Sequence, residues 1–355
     1  MKKLFVISIL SLSLAATPVS ALAASSNAYT NGYNYVIEED PQYNIPTETL
    51  LQQFPITYQT PAETEMSKKI QNRMLNGFYQ WNQGFDAWEN WGKVLYHPSS
   101  IYHVHGVRLT LPEYQKSMNM SLKSMDIQMG NFNNMILSGD WMAIRYDITT
   151  INRKTGKSNP GTTMEFAKFG DFGAKGAKVD EGFGGVKGPD YAAMMSFQTD
   201  AEKKQQEAFM QEMINTKLPV TNDLRRKYLV KYPTPLLTAQ SQAMRDAILQ
   251  NIDAWNQGYD TWSSNADTFF TAGVQYNLSD ENMNLSQYKN AVKSLIDSEQ
   301  IVRINNLLVS EDWAAIHYWS VVTDTAGNKT ADDHMSFLHF VENDGALKVD
   351  MAWTK

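Results

Sequence analysis

The sequence predicts an α+β protein built from two copies of one small domain. The first observation is a long internal repeat: WNQGFDAW at residues 81–88 returns as WNQGYDTW at residues 255–262, 174 positions later. The second is the order of elements, since in each copy helices with one early strand precede several strands separated by turn residues. Each copy is about 115 to 125 residues long, the size of a compact domain rather than of a solenoid repeat.

The repeat keeps its register beyond this phrase. Residues 95–114 align without a gap with residues 269–288, and SGDWMAIRY at residue 138 aligns with SEDWAAIHY at residue 310. We therefore predict a signal peptide at residues 1–23, a polar N-terminal segment at 24–59, a first domain at 60–186, a helical connector at 187–237 and a second domain at 238–355.

The first residues have the pattern of an export signal. Lys2 and Lys3 precede an apolar stretch at residues 4–14, and Ala21-Leu22-Ala23 is a small-residue cleavage signature. We expect cleavage after Ala23 and a periplasmic or secreted protein. No later apolar run is long enough to span a membrane. The polar, proline-containing segment that follows is expected to pack loosely or to stay partly disordered.

Composition narrows the classes of function. A net charge of −7 without a basic stripe argues against nucleic acid as a partner. The absence of cysteine excludes a thiol nucleophile and a disulfide scaffold. Stability must therefore come from packing, for which the 18 Met and 9 Trp residues are suited.

Local signals place the elements. Helices are expected to begin at four capping boxes, whose N-cap residues are Thr60, Thr110, Thr199 and Asn284. The helix from Thr199 would form a polar connector that ends near Asn215. Gly84 would end the first helix, and Asp86 with Glu89 would cap the next. In the first copy, strands are expected at residues 100–106, 128–137, 141–152, 162–169 and 177–183.

The phrase W-N-x-G-x-D-x-W, the histidine-bearing strand after it and the later strand Gly-Asp-Trp-x-Ala-Ile-Arg resemble the SnoaL-like branch of the nuclear transport factor 2-like fold. The resemblance covers residues 60–185 and 238–355. It implies two cone-shaped domains, each a strongly curved antiparallel sheet wrapped around about three helices, with a pocket at the wide end. Members that resemble this fold often dimerise through the sheet, so the tandem copies would form a pseudo-dimer within one chain.

Histidines are concentrated in the first copy. The chain has six, and His97, His103 and His105 fall within nine residues, whereas the second copy has Asn277 and Ser279 at the positions of the last two. Residues two apart on a strand share a face. His103 and His105 therefore both point into the cone, as a base or ligand pair, or both point out of it. The sequence leaves both orientations open.

A second constellation is Arg145 and Asp147, two apart on one strand, with Asp180 on the last strand. By resemblance to the epoxide hydrolase branch of this fold, Asp147 would be the acid, Arg145 the orienting cation and Asp180 the base that activates water. The alternative is an arginine–aspartate pair on an exposed strand face. The second copy keeps only Asp350.

A metal site is a further alternative, because two histidines on one face with Glu165 or Asp147 would suit zinc or a similar ion. We nevertheless predict no metal and no cofactor, since His-x-His alone is a weak pattern. His334 and His339 lie five apart on a strand, so they should face opposite sides.

Three hypotheses of function follow. The first is an exported protein that binds a small apolar or aromatic molecule in a cone pocket. The second is a cyclase, isomerase or hydrolase that uses His103, His105, Arg145, Asp147 and Asp180 of the first domain, with a degenerate second domain. The third is an interaction module whose two sheets pair within the chain.

Overall fold

The computed structural model shows two sheets, each with its own helices. It describes residues 45–83, 91–92, 94–171, 177–184, 195–196, 198–236 and 238–355. These residues all belong to one compact unit, Ile37–Lys355. The predicted signal peptide, its cleavage site after Ala23, and the predicted helix signals at Gly84 and Asp86 lie outside the described residues.

The first copy combines three described helices with seven strands. The helices are α1 (Thr47–Gln53), α2 (Glu65–Trp81) and α3 (Leu111–Ser124). The strands are β1 (Ile56–Gln59), β2 (Tyr96–Val104), β3 (Val107–Thr110), β4 (Met125–Ser138), β5 (Trp141–Asn152), β6 (Ser158–Asp171) and β7 (Ala177–Phe183).

The connector and the second copy repeat this pattern. The helices are α4 (Asp200–Asn215), α5 (Leu224–Lys227), α6 (Ala239–Asn256), α7 (Tyr259–Phe269) and α8 (Leu285–Ile296). The strands are β8 (Val230–Pro233), β9 (Phe270–Leu278), β10 (Glu281–Met283), β11 (Glu299–Ser310), β12 (Trp313–Thr323), β13 (Lys329–Asn343) and β14 (Ala346–Thr354). No helix among the described residues is long and apolar enough to cross a membrane.

Strand order shows that the two copies have the same topology. The first sheet runs β1-β4-β5-β6-β7-β2-β3, and the second, taken from its other edge, runs β8-β11-β12-β13-β14-β9-β10. The predicted α+β class with two cone-shaped domains is confirmed. The sheets are mixed rather than purely antiparallel, because the early strand β2 pairs parallel with β7 and β1 pairs parallel with β4.

The two sheets pack face to face through a shared apolar cluster. Trp141, Ala143 and Phe166 of the first sheet belong to it together with Trp313 and Phe337 of the second, and all five are buried. In a half-buried strand, alternate residues share a face, so these positions leave the intervening residues for the interior of each cone. The apolar contact between the copies is that of a pseudo-dimer within one chain.

Aromatic side chains fill the interior of the cones. In the first copy Tyr102 stacks on Tyr114 with ring centroids 4.2 Å apart, and in the second Tyr276 stacks on Tyr288 at 3.6 Å. The cavity left beside Tyr276 and Tyr288 has a volume of about 60 Å³. That volume is well below the about 300 to 1,000 Å³ of typical small-molecule sites.

The first long helix begins later than predicted. Its N-cap is Thr64, whose side chain accepts a hydrogen bond from the Ser67 backbone N–H, and the Ser67 hydroxyl lies 2.9 Å from the Thr64 backbone N–H. The predicted N-cap, Thr60, is instead buried and accepts a hydrogen bond from the Leu137 backbone N–H at 2.8 Å. The prediction was wrong because a serine performs the role expected of Glu63.

The end of the predicted polar segment, residues 45–59, packs against the first copy, and residues 24–44 lie outside the described residues. Leu50 of α1 is buried, and β1 adds a parallel strand to β4 with Tyr58 opposite Asn134. In the second copy Tyr232 lies opposite Asn306. Tyr58 and Tyr232 are therefore equivalent, and the end of the polar segment forms part of the first sheet.

The predicted polar connector helix is confirmed. Thr199 caps α4 by accepting from the Glu202 backbone N–H, and the helix ends at Asn215. Its apolar side chains, Phe209 and Met213 among them, pack on Trp319 of the second sheet. Gln206 also donates to the backbone oxygen of His105 at 3.0 Å. The connector thus touches both copies and covers one end of the contact between the sheets.

Candidate functional site between the two sheets

His103 and His105 lie outside the cone of the first copy. On β2 the side chains of Tyr102 and Val104 are buried in the cone, so His103 faces the other way, toward the second copy. His105 occupies the turn after β2 with a φ of +45°. Of the two orientations that the sequence left open, the structure shows the outward one, yet the outward face is the side that meets the second copy.

The turn that carries His105 is a two-residue hairpin found in both copies. His105 and Gly106 have φ values of +45° and +81°, and Ser279 and Asp280 in the second copy have +49° and +71°. Positive φ at both central residues is the mark of a type I′ turn, which suits the twist of paired strands. A Cβ at Gly106 would lie 2.7 Å from Cδ1 of Phe209, so glycine is needed there for space as well.

His105 belongs to a chain of four polar side chains that joins the copies. Its Nδ1 lies 2.6 Å from Oδ1 of Asp333, and Oδ2 of Asp333 lies 3.3 Å from Nε2 of His317. The other ring nitrogen of His317 lies 3.3 Å from Oδ1 of Asn306. Burial alone would raise the pKa of Asp333, but the hydrogen bonds and charges of the two histidines outweigh it and hold that pKa well below its usual range.

His103 forms a separate pair beside this chain. Its Nε2 lies 2.9 Å from Oε1 of Glu181, and its ring stacks on Phe183 with centroids 4.6 Å apart. Phe183 also contacts Tyr232 at 4.6 Å. Burial, followed by the charge of Glu181, raises the pKa of the Tyr232 hydroxyl. The ring of His103 is therefore held in one orientation by an acid and by an aromatic surface.

Together these side chains surround a cavity of about 330 Å³, which we call the histidine cleft. Its walls come from both copies and from α4: His103, His105, Gly106, Arg108, Phe183, Gln205, Ala208, Phe209, Glu212, Lys231, Tyr232, Asn305, His317, Trp319 and Asp333. The volume lies in the range of small-molecule sites, which are mostly apolar with a few convergent polar groups. Four aromatic side chains and two histidine–carboxylate pairs meet that description.

Arg145 and Asp147 lie at the position equivalent to the histidine cleft on the other side of the molecule. Nε of Arg145 donates to Oδ1 of Asn134 at 2.8 Å, and its guanidinium lies 4.5 Å from the ring centre of Trp353. Burial lowers the pKa of Arg145 to about 10, against the opposing effect of Asp147. Oδ1 of Asp147 accepts from Asn133 at 2.7 Å.

A lysine occupies this second region. Lys355 donates to the Thr162 backbone oxygen at 2.9 Å and to Oδ2 of Asp280 at 3.0 Å, and it is only 7% exposed. We call the group of Arg145, Asp147, Thr162, Asp280 and Lys355 the arginine site.

The structure does not bring the five predicted catalytic residues together. His103 and His105 line the histidine cleft, and Arg145 and Asp147 belong to the arginine site. Asp180 is exposed on an irregular stretch of β7, where the register with β6 shifts between Phe169 and Lys168. Arg145, Asp147 and Asp180 therefore do not form the arrangement of two acids and an arginine around one water that the resemblance to epoxide hydrolases implies.

Glu165, offered as a further metal ligand, faces the cone interior and accepts from the Tyr146 hydroxyl at 2.7 Å. A different group has metal-ligand spacing: one atom each of His105, Asp332 and Asp333, all within 4.8 Å of one another. His334 and His339 have different partners, Ser320 and Asp350.

The residues of the second copy that complete the cleft, above all Asp333 and His317, are not among the residues predicted from the sequence. One signal was present, because Asp333 alternates with Met335 and Phe337, both fully buried, so an acid sits on an apolar strand face. A buried acid of that kind needs a cationic or donor partner. The sequence did not show that a partner of Asp333, His105, lies on the other copy.

Two other cavities lack the combination of histidines, carboxylates and aromatic side chains that lines the histidine cleft. One of about 770 Å³ lies between the end of α4 and the second copy, and no aromatic side chain of the described residues lines it. Another of about 350 Å³ is mostly apolar, and both of its arginines, Arg225 and Arg245, bond to Asp246. Neither contains a histidine, so the histidine cleft is the better candidate in spite of the larger volume of the first.

Comparison with known proteins gives partial structural likeness. No family model and no curated protein matches the sequence. Many of the solved structures that match are SnoaL-like polyketide cyclases or NTF2-like proteins, each over about 31% of this chain, a share that corresponds to one copy of the repeat.

Two of them illustrate the level of likeness. A SnoaL-like polyketide cyclase from Agrobacterium tumefaciens is 18% identical with a TM-score of 0.27, covering 32% of this chain and 91% of its own. An NTF2-like protein of unknown function from Shewanella oneidensis is 12% identical with a TM-score of 0.25, covering 32% of this chain and 98% of its own. Likeness at this level says nothing about the ligand or the activity of this chain.

Proposed function

We propose that this protein binds a small aromatic molecule in the histidine cleft. The observation that carries the proposal is the cleft itself: about 330 Å³, walled by Phe183, Tyr232, Phe209 and Trp319, with polar groups from both copies at its surface. Aromatic walls stack on a flat ligand and exclude water, while a few fixed polar groups orient it. The proposal moves the expected ligand from a cone pocket to the space between the copies.

The absence of cysteine allows a direct test. Ala208 of α4 lines the cleft. Ala201 lies at the N-terminal end of the same helix, and it is exposed and outside the lining. In the variants Ala208→Cys and Ala201→Cys, a maleimide would label one known position. A panel of single-ring aromatic compounds, with and without charge, is then titrated into each labelled protein by isothermal calorimetry.

We expect at least one compound to bind to the wild type and to labelled Ala201→Cys, and to lose at least tenfold in affinity with labelled Ala208→Cys. Unlabelled Ala208→Cys controls for the substitution. The proposal is wrong if no compound binds at millimolar concentration, or if the label on Ala208→Cys leaves binding unchanged.

One observation favours a second function, acid–base catalysis in the same cleft. The short His105–Asp333 contact fixes the orientation of an imidazole, which is the role of the carboxylate in many histidine-based sites. Such an enzyme would need both copies, rather than the first alone. Incubating each bound compound with the protein and recording its NMR spectrum separates the two functions, because a binding protein returns the compound unchanged. Any conversion should fall at least roughly tenfold in His105→Gln.

We also propose that the chain is exported, on the strength of the N-terminal pattern that ends in Ala21-Leu22-Ala23. Expression in a bacterial host followed by fractionation and N-terminal sequencing is the test. The expected mature protein begins at Ala24. Recovery of an uncleaved cytoplasmic chain would contradict the proposal.

A further inference from the structure

The charges of the histidine cleft are unequally satisfied. The two carboxylates that line it have close partners: Glu212 pairs with Arg303, and Asp333 contacts His105 and His317. Arg108 and Lys231 also line the cleft. Neither has an acidic side chain within 4 Å among the described residues, so both can still pair with a bound anion, and Glu212 and Glu181 act on Lys231 only from a greater distance.

Lys231 is placed where a negative charge would be favourable. Its ammonium lies 5.3 Å from the ring centre of Tyr232, and its pKa is lowered first by burial and then by the nearby charge of Arg303. Arg108 lies opposite His103 in the β2–β3 hairpin, on the same face. A cation that is partly desolvated and has a cationic neighbour gains free energy when an anion binds beside it.

Strands β11 and β12, next to the strand β8 that carries Lys231, hold two buried polar atoms that have no hydrogen-bond partner among the described residues. They are Oδ1 of Asn305 and Nε1 of Trp319, on residues that line the cleft and are 7% and 1% exposed. Buried polar groups are rarely left without a partner, because such a group loses the hydrogen bonds that it would make to water. One atom is an acceptor and the other a donor, so a hydroxyl suits both.

The repeat shows what changed at these two positions. Asn305 lies at a bulge of β11, and the equivalent Asn133 lies at a bulge of β4. In the first copy Asn133 donates to Asp147, but the position of Asp147 is taken by Trp319 in the second. The change removes a carboxylate and adds an aromatic wall, which is a change from an internal hydrogen bond to a surface for a ligand.

We infer that the ligand of the histidine cleft is a small aromatic anion, a carboxylate or a group of similar charge, that also carries a hydroxyl. The anionic group is held by Arg108 and Lys231, the ring by Phe183, Tyr232, Phe209 and Trp319, and the hydroxyl by Asn305 and Trp319. This inference rests on the proposed function and adds the chemical class of the ligand.

Three probe compounds separate the parts of the inference. They are 4-hydroxybenzoate, 4-hydroxybenzamide, which lacks the charge, and benzoate, which lacks the hydroxyl. We expect the amide and benzoate each to bind at least about tenfold more weakly than 4-hydroxybenzoate in calorimetry, since one good interaction of about 1.4 kcal/mol is a factor of ten. Raising the salt concentration should weaken 4-hydroxybenzoate more than the amide.

Two substitutions test which residues bind the anionic group of the ligand. Arg108 and Lys231 are both exposed, so Arg108→Gln and Lys231→Gln should fold normally. Each is expected to weaken 4-hydroxybenzoate at least about fivefold and to leave the amide unchanged. Lys154→Gln, in the exposed turn after β5, is the control for total charge and should change neither.

The outcomes distinguish a failure of this inference from a failure of the proposed function. If no probe binds and the wider panel also fails, the proposed function is wrong. If neutral aromatic compounds bind as tightly as 4-hydroxybenzoate in a manner that the Ala208→Cys label blocks, the cleft is a binding site but the anion is wrong. If the arginine and lysine variants bind 4-hydroxybenzoate as the wild type does, the placement of the charge is wrong.

Discussion

The histidine cleft and the arginine site occupy equivalent places on the two sides of one pseudo-symmetric molecule. Both are built from the hairpin turn of one copy and the central strands of the other, and both contain an asparagine bonded to a charged or titratable residue: Asn306 to His317, and Asn134 to Arg145. At the arginine site Lys355 lies in the contact with Thr162 and Asp280. At the histidine cleft a cavity of about 330 Å³ remains.

The comparison teaches that duplication kept the scaffold and changed the side chains. The turns have positive φ at the same two positions in both copies, yet one carries His105 and Gly106 and the other Ser279 and Asp280. The glycine beside His105 leaves room for Phe209 of the connector to approach the turn. The cover that Phe209 forms over the cleft therefore depends on this glycine. The arginine site fills the contact between the copies with hydrogen bonds, whereas the histidine cleft leaves a cavity there.

The largest expected effect on stability is at Asp333. Its side chain is buried and bonds to two histidines, so Asp333→Asn should cost about 3 to 5 kcal/mol of unfolding free energy, as removal of one partner from a buried ionic group does. The matched change Asp147→Asn should cost less than about 1 kcal/mol, because an amide oxygen can still accept from Asn133. Urea denaturation measures both. Equal losses would show that the two regions do not differ in the way described.

A second prediction concerns the turn. Gly106→Ala should cost about 2 kcal/mol or more, because it adds a Cβ at a φ of +81° and within 2.7 Å of Phe209. Gly156→Ala is the control: its φ is +67°, but nothing lies within 4 Å of the added atom, so only backbone strain of about 1 kcal/mol is expected. Thermal denaturation of both variants gives the difference. If Gly156→Ala is the more harmful change, the contact with Phe209 is not what requires glycine.

A third prediction follows from the pKa of Asp333. Because that pKa lies well below its unfolded value of about 3.9, the carboxylate contributes stability that is present above about pH 4 and is lost as the pH falls toward the folded pKa. The neighbouring titratable groups are His105, His317 and Asp332. Below about pH 5, where an ordinary histidine pKa of about 6.5 leaves the imidazoles charged, the stability difference between wild type and Asp333→Asn should therefore shrink as the pH falls toward 3. A difference that grows in acid would contradict this sign.

The smallest effect is expected at the arginine site. Lys355→Gln removes an ion pair with Asp280, whose side chain is 58% exposed, so the loss should be below about 1 kcal/mol and should shrink in high salt. Denaturation at low and high ionic strength measures it. A loss that is large and insensitive to salt would mean that the hydrogen bond to Thr162, rather than the charge, stabilises this region.

The repeat, the sheet strands and the connector could be predicted because they depend on local signals. Strands β5 and β7 begin and end where their apolar patterns and turn residues place them, and Thr199 caps α4 as its spacing to Glu202 indicates. Helix α2 was placed too early because the capping box of Thr64 uses a serine at its third position. Elements that depend on side-chain substitutes for the usual residues are less visible in a sequence.

The candidate site could be predicted only in part. His103 and His105 were singled out by their spacing, but the residues that give them a function lie far along the chain, with His105 and Asp333 separated by 228 positions. The sequence predicts two separate domains, and a separate domain of this fold would have its pocket inside the cone. The packing of one sheet on the other decides which residues meet, and no local pattern encodes it.

The most direct measurement of the central claim is the indole ¹H–¹⁵N spectrum of the protein titrated with 4-hydroxybenzoate. Trp319 lines the histidine cleft and Trp255 lines the small cavity in the second cone, and Nε1 of each has no hydrogen-bond partner within the part of the chain that the structure describes. With resonances assigned from Trp319→Phe and Trp255→Phe, the account predicts a saturating shift of the Trp319 signal and a stationary Trp255 signal. A shift of Trp255 with Trp319 unmoved would place the ligand in the cone and contradict the account.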